Sequence, residues 1–227
     1  MTTRATIVGA GGLGGPIAMA LAAAGIELTI VDHDLVELSN LHRQIQFTAT
    51  DVGAPKAPIL ARAANGTGIV AKWQPEHSED ADLVIDASDD PATKFAVADW
   101  AVANGRRYVI ASALRYGGNV MAGAPGYACY RCLFEEPATA DEAPTCADAG
   151  VLGPVVGAIG GVAAALALGL AHDDRTYAGA LFVFDDLRKL AEPRVVRFAA
   201  RTTCPACTRA PISPFADRQP VRIAEGN

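Results

Sequence analysis

The sequence lacks an excess of positive charge: 19 Lys and Arg stand against 25 Asp and Glu, for a formal net charge of -6. That balance excludes non-specific binding to nucleic acid or to an anionic membrane, both of which need a basic surface. Internal repeats and low-complexity tracts are missing as well, which excludes solenoids and disordered linkers. At 227 residues the chain is too short for two sizeable independent domains but ample for one buried core. Cysteine is scarce, five in all. Four of them fall in two C-x-x-C pairs, which in an acidic chain read as metal ligands in a reducing, cytoplasmic setting sooner than as disulfides.

Two apolar stretches resemble targeting segments and are set aside. Arg4 followed by Ala5 to Ala24 imitates a signal peptide, but five glycines and Pro16 divide the run into a β-branched strand, ATIV, and an Ala-rich helix. The uncharged stretch from Ala149 to His172 is long enough to span a bilayer. Its glycines and Pro154 fit a buried or interface helix better, with GxxxG spacing at Gly157 and Gly161 for close helix contact.

What is present alternates between strand and helix. ATIVG, the glycine loop, a helix from Pro16 to Ala24 and LTIVD ending at Asp32 make a βαβ unit. Beyond the polar segment from Asp34 to Pro55 the pattern predicts a helix near Pro58 to Ala64, a strand around Ile69 to Trp73 and the strand DLVIDA from Asp82 to Ala87. Pro91 opens a further helix. YVIASAL, the pair Gly117 and Gly118, and NVMAGA predict a hairpin, so the parallel sheet becomes mixed; LFVFDDL and VVRFA supply late strands on either side of Pro193. The expected fold class is α/β, Rossmann-like, with a single domain over residues 1–208 and a poorly ordered tail over 209–227.

GAGGLG, from Gly9 to Gly14, directs attention to a nucleotide. Gly9 permits the tight turn, Gly11 and Gly12 let backbone N–H groups approach a phosphate, and Gly14 allows close packing. Asp32 stands at the strand end, where a carboxylate accepts hydrogen bonds from ribose hydroxyls; Asp34 is placed to do the same or to cap the following turn. The stretch DHDLVELSNLHRQ then adds more polar groups than a nicotinamide cofactor requires. Arg43, flanked by Asn40 and Gln44, and Lys56 suit β- and γ-phosphates, the first as a bidentate fork and the second as a point charge. ATP is therefore favoured over NAD. Asp89, in DASDD after a strand, suits Mg²⁺ bridging a triphosphate, or alternatively the N-cap of the helix at Pro91.

Cys129 and Cys132 in CYRC, with Cys204 and Cys207 in CPAC, offer four thiolates to a closed, structural Zn²⁺. Cys146 is left over. It reads either as a thiolate near the N-terminus of the apolar helix or as a small buried hydrophobe.

GAGGLG, DHDLVELSNLHRQ, Lys56 in GAPKA, DASDD, CYRC, TCADAGVLGP and CPAC occur in the order found in the ThiF/MoeB/HesA family, which the chain resembles over nearly its whole length. That family resembles the adenylation half of ubiquitin-activating enzymes. The resemblance implies ATP-dependent adenylation of the C-terminal glycine of a small ubiquitin-like sulfur carrier ending in Gly-Gly. It further implies ribose binding by Asp32, phosphate contacts by Asn40, Arg43 and Lys56, Mg²⁺ near Asp89, zinc on the four cysteines and a homodimer. Cys146 matches a cysteine that forms a covalent link during sulfur transfer in thiamin-type members.

The match has two departures. Family members usually carry a helical extension whose arginine reaches the partner subunit's ATP, whereas this sequence enters its first strand after MTTR, so that either Arg4 is a remnant of that arginine or the role is lost. The family's asparagine after the metal-binding aspartate is Asp90 here, which adds negative charge beside the expected metal. No rhodanese-like segment follows the zinc pair, so sulfur is expected from a separate donor. Alternatives from other classes are a NAD-dependent oxidoreductase and a non-catalytic scaffold that only docks a carrier.

Overall fold

The structure is a computed structural model, described for residues 2–138, 150–190 and 192–207. Cys146 and the 209–227 tail lie outside the described residues.

Strand β1 (Arg4–Val8) turns through the glycine loop into helix α1 (Gly14–Ala23) and returns as β2 (Glu27–Val31), in parallel register with Ala5 beside Leu28 and Ile7 beside Ile30. Helix α2 (Lys56–Ala63) leads to the short edge strand β3 (Thr67–Ile69). β4 (Leu83–Asp86), α3 (Pro91–Ala103) and β5 (Arg107–Leu114) complete the parallel half. The antiparallel half comprises β6 (Gly117–Gly123), β7 (Ala180–Phe184) and β8 (Arg194–Arg197). The eight strands run β3-β2-β1-β4-β5-β6-β7-β8 in one mixed sheet. A single helical turn, α4 (Tyr130–Leu133), carries the first cysteine pair, and α5 (Gly153–Ala171) is the apolar helix.

Two cores sit on the two faces of this sheet. Ile7, Ile17, Leu21, Ile30, Leu60 and Ile159 fill the side under α1, α2 and α5. Val84, Phe95, Tyr108, Ile110 and Met121 fill the side under α3 and α4. The central strands read as continuous apolar runs because both faces are covered. α5 is long and apolar enough to cross a membrane, yet it packs on α1, β5 and β6, burying Val155, Val156, Ile159 and Leu170.

Two sequence expectations require correction. The helix begins at Lys56 and not near Pro58: Pro55 is its N-cap, and Pro58 is tolerated because the first turn has no intrahelical use for its missing N–H. The strand expected from Ile69 to Trp73 instead ends at Ile69. Being an edge strand paired only with β2, it stops where the Ile69 carbonyl accepts the N–H of Asp32 at 3.1 Å, and the chain then leaves the sheet.

Candidate functional site

A cavity of about 920 Å³ opens at the carboxyl edge of the parallel strands, the position where open α/β sheets bind ligands. Its walls come from the glycine loop, the ends of β2, β4 and β5, the loop after β3, and the first turns of α3 and α5. Gly9 has φ +97°, as the tight turn requires, and a side chain at Gly14 would strike the Gly9 carbonyl. Among the described residues the N–H groups of Gly11 and Gly12 have no acceptor. They stand at the N-terminus of α1, whose first turn contains no acidic residue, so positive potential faces the cavity.

Asp32 is buried, and both its oxygens are engaged: Oδ2 accepts the N–H of Ala10 at 2.6 Å and Oδ1 that of Asp34 at 2.7 Å. Burial pushes this carboxyl up from the ordinary range, against the pull of those N–H groups and Lys56. The turn 38–44 is organised by relays. Asn40 donates to Glu37 Oε2 at 3.0 Å and accepts from Arg43 Nη2 at 2.5 Å, which aims the guanidinium. Lys56, at the first position of α2, is buried with Nζ 2.9 Å from Asp34 Oδ2. Arg43, Gln44, Lys56 and Asp89 all line the one cavity with Asp32 and Asp34; Asn40 supports it from behind.

Asp89 is exposed in the loop after β4 and makes no hydrogen bond among the described residues. The helix cap is its neighbour. Asp90 accepts from Ala92 N at 3.2 Å, Thr93 N at 3.0 Å and Thr93 Oγ1 at 2.6 Å. Partial burial raises the Asp90 carboxyl, but the Thr93 hydroxyl and the two N–H groups bring it below the ordinary range. Its charge is thus directed at α3 and away from Asp89. Arg4 starts β1 at the edge of the sheet opposite this cavity, where its side chain pairs with Asp80 at 3.7 Å.

Two groups escaped the sequence reading. Lys94 lines the cavity from α3 and donates to Asp86 Oδ2 at 2.7 Å, Ser88 O at 2.6 Å and Ala111 O at 2.7 Å. Gln46 Nε2 donates to both Ala10 O at 2.8 Å and Gly11 O at 2.9 Å, bracing the glycine loop from behind. A lysine inside the apolar stripe of α3, eight residues after a strand-end aspartate, was the available signal for the first. For the second there was none.

The four cysteines of the two C-x-x-C pairs converge. Cys129 Sγ lies 3.8 Å from Cys132, 3.5 Å from Cys204 and 3.1 Å from Cys207, and Cys132 lies 3.2 Å from Cys207. Bonds of about 2.3 Å to a tetrahedral Zn²⁺ would set sulfurs roughly 3.8 Å apart, so the donor set fits with a small expansion. Burial raises the Cys129 and Cys207 thiols, the latter to about 11; it raises the Cys204 thiol too, but N–H groups of Cys207 and Ala206 aimed at that sulfur bring it down to about 7. Arg131 clamps this unit to α3 by a bidentate pair with Asp99 at 2.7 to 2.9 Å.

Comparison with known proteins places these features in a wider set. The ThiF family matches residues 1–206. The adenylyltransferase and sulfurtransferase uba4 of Neosartorya fischeri is 41% identical over 169 residues, covering 70% of this chain and 35% of that protein. The adenylyltransferase and sulfurtransferase MOCS3 of Dictyostelium discoideum is 35% identical over 217 residues, covering 88% and 51%. The chain therefore spans about a third to a half of the length of these curated relatives. The crystal structure of E. coli MccB superposes with a TM-score of 0.76 at 19% identity, covering 90% of this chain and 65% of that one. That likeness is one of fold.

Proposed function

Because the chain belongs to the ThiF family, we propose that it adenylates the C-terminal glycine carboxylate of a small ubiquitin-like sulfur carrier ending in Gly-Gly. The observation that carries this reading is the single cavity in which an anion-binding glycine loop, a strand-end carboxylate and the cations of Arg43 and Lys56 meet. Asp32 holds the ribose, while Gly11, Gly12, Asn40, Arg43, Gln44 and Lys56 hold the phosphates, with Asp34 releasing Lys56 to them. The carrier carboxylate bonds to the α-phosphorus as the bond to the bridging oxygen breaks, releasing pyrophosphate. No strong base is needed, and Arg43 and Lys56 stabilise charge on the leaving group.

Asp89 is the residue to hold Mg²⁺: one free carboxylate beside a phosphate site is the usual mode for this ion, which when bound neutralises triphosphate charge. Zn²⁺ on Cys129, Cys132, Cys204 and Cys207 is structural. Cys146 is assigned to the later sulfur step, with sulfur from a separate donor, in a cytoplasmic homodimer.

The test is exchange of labelled pyrophosphate into ATP, dependent on a ubiquitin-like protein ending in Gly-Gly encoded beside this chain. Exchange supports the reading. Its absence, with ATP and Mg²⁺ present and the protein folded, overturns it.

A further inference from the structure

Gln44 is locked by its backbone and idle in its side chain. Its N–H donates to Asn40 O at 3.0 Å and its carbonyl accepts from Phe47 N at 3.1 Å. Its carboxamide is 4% exposed and lines the cavity, yet Oε1 has no hydrogen-bond partner and Nε2 donates to nothing among the described residues. A buried acceptor left without a donor costs free energy, and native structures keep few. Gln46 Oε1 shares that status but does not line the cavity. Among the described residues, Gln44 is the one that lines the cavity with a buried side-chain oxygen lacking a donor.

The chemistry of the missing partner follows. Phosphate oxygens are acceptors at neutral pH, so ATP phosphates can serve Nε2 and leave Oε1 bare. The ribose hydroxyls belong to the end of β2, and the base lies beyond them. Gln44 sits on the other flank of the glycine loop: its Nε2 lies 3.6 Å from where a side chain on Gly11 would begin, and Gly12 beside it faces Arg43 O and Val156 of α5. Val156, which packs against Gly12, lines the cavity together with Ser112, Ala113 and Val151, small side chains that suit a residue with none of its own. An extended tail delivering its terminal carboxylate there must desolvate the N–H of its last residue, three bonds from the attacking oxygen.

Resting on the adenylation reading, we propose that Gln44 Oε1 accepts the main-chain N–H of the carrier's terminal glycine and so sets the register of its carboxylate at the α-phosphate. Gln44 is then a specificity residue for the acyl substrate, in addition to any phosphate contact through Nε2.

The experiment uses a ubiquitin-like carrier finished by ligation with either Gly-Gly or Gly followed by N-methylglycine, which replaces the N–H with N–CH3; the added methyl is common to every enzyme variant and cancels in the comparison between them. In carrier-dependent pyrophosphate exchange, N-methylation should raise the wild-type KM about tenfold, as loss of a hydrogen bond to a buried acceptor does. The same change should matter by about twofold or less in Gln44→Met, while Gln44→Glu, which keeps the acceptor, should retain the penalty. Whatever Gln44→Met does to the absolute rate through the phosphates, an equal ratio of KM values for the two carriers in wild type and in Gln44→Met overturns the assignment, and wild-type exchange on the Gly-Gly carrier spares the adenylation reading. No exchange by wild type with the Gly-Gly carrier overturns both.

Discussion

Lys94 Nζ lies 2.7 Å from the carboxylate of Asp86, and both groups are buried beneath the floor of the cavity. Two main-chain carbonyls complete the lysine's hydrogen bonds. The ammonium thereby joins the end of β4, the loop that carries Asp89, and β5.

Removing one member of such a pair leaves an uncompensated buried charge, so Lys94→Met should destabilise the fold by about 3–5 kcal/mol at neutral pH. Burial already raises the Asp86 carboxyl above the ordinary value of 3.8, and loss of the lysine raises it further. An acid whose folded pKa exceeds its unfolded one binds its proton more tightly when folded. Stability of the variant should therefore be highest at acid pH and fall as pH rises from about 3.8 through the folded pKa. Denaturant titrations between pH 4 and pH 7 check this; a variant equally stable across that range refutes it.

Arg43→Ala and Asp89→Ala should each slow carrier-dependent pyrophosphate exchange by about 100-fold or more. Both side chains lie on loops at the cavity and bury little, so melting temperatures should move only slightly. Exchange rates alongside thermal melts test the pair; unchanged exchange in either variant removes that residue from the phosphate machinery.

Asp32→Ala should act chiefly on ATP affinity, because ribose contacts persist from ground state to transition state. It should raise the ATP KM more than it lowers kcat. Since Asp32 also anchors the N–H groups of Ala10 and Asp34, some loss of stability accompanies it. A fall in kcat with unaltered KM would assign it a different task.

The purified protein should carry close to one zinc per chain by elemental analysis. Cys204→Ser, or prolonged chelation, should lower the melting temperature, because metal binding at a closed thiolate site contributes folding free energy. Metal-free protein that melts like the wild type contradicts a structural zinc.

Much of this site was legible because its parts are short-range. The turn at Gly9 and the Asn40 to Gln44 turn owe their geometry to neighbours within a few residues, and the alternation of strand and helix placed them, with Asp32, at one sheet edge. The convergence of CYRC and CPAC was legible from ligand chemistry alone. Lys94 and Gln46 were not, since their partners lie on other elements: Ala111 on β5 and Ala10 on the loop after β1. The cap of α3 was read one residue early, on Asp89, for a local reason. Both aspartates precede Pro91, and it is Asp90 whose oxygens reach Thr93 and the first turn of α3.

Gln46 gives the glycine loop a history that the loop's own letters do not record. One carboxamide holds two adjacent carbonyls from behind, and it fits only because Gly15 has no side chain in its way. The loop's N–H face is consequently set when the chain folds, and ordering it is not charged against nucleotide affinity. It also means that the segment ending at Gln46 and the first turn of α1 are not free to diverge separately. An insertion in one, or a side chain at Gly15 in the other, displaces the same carboxamide and releases the loop.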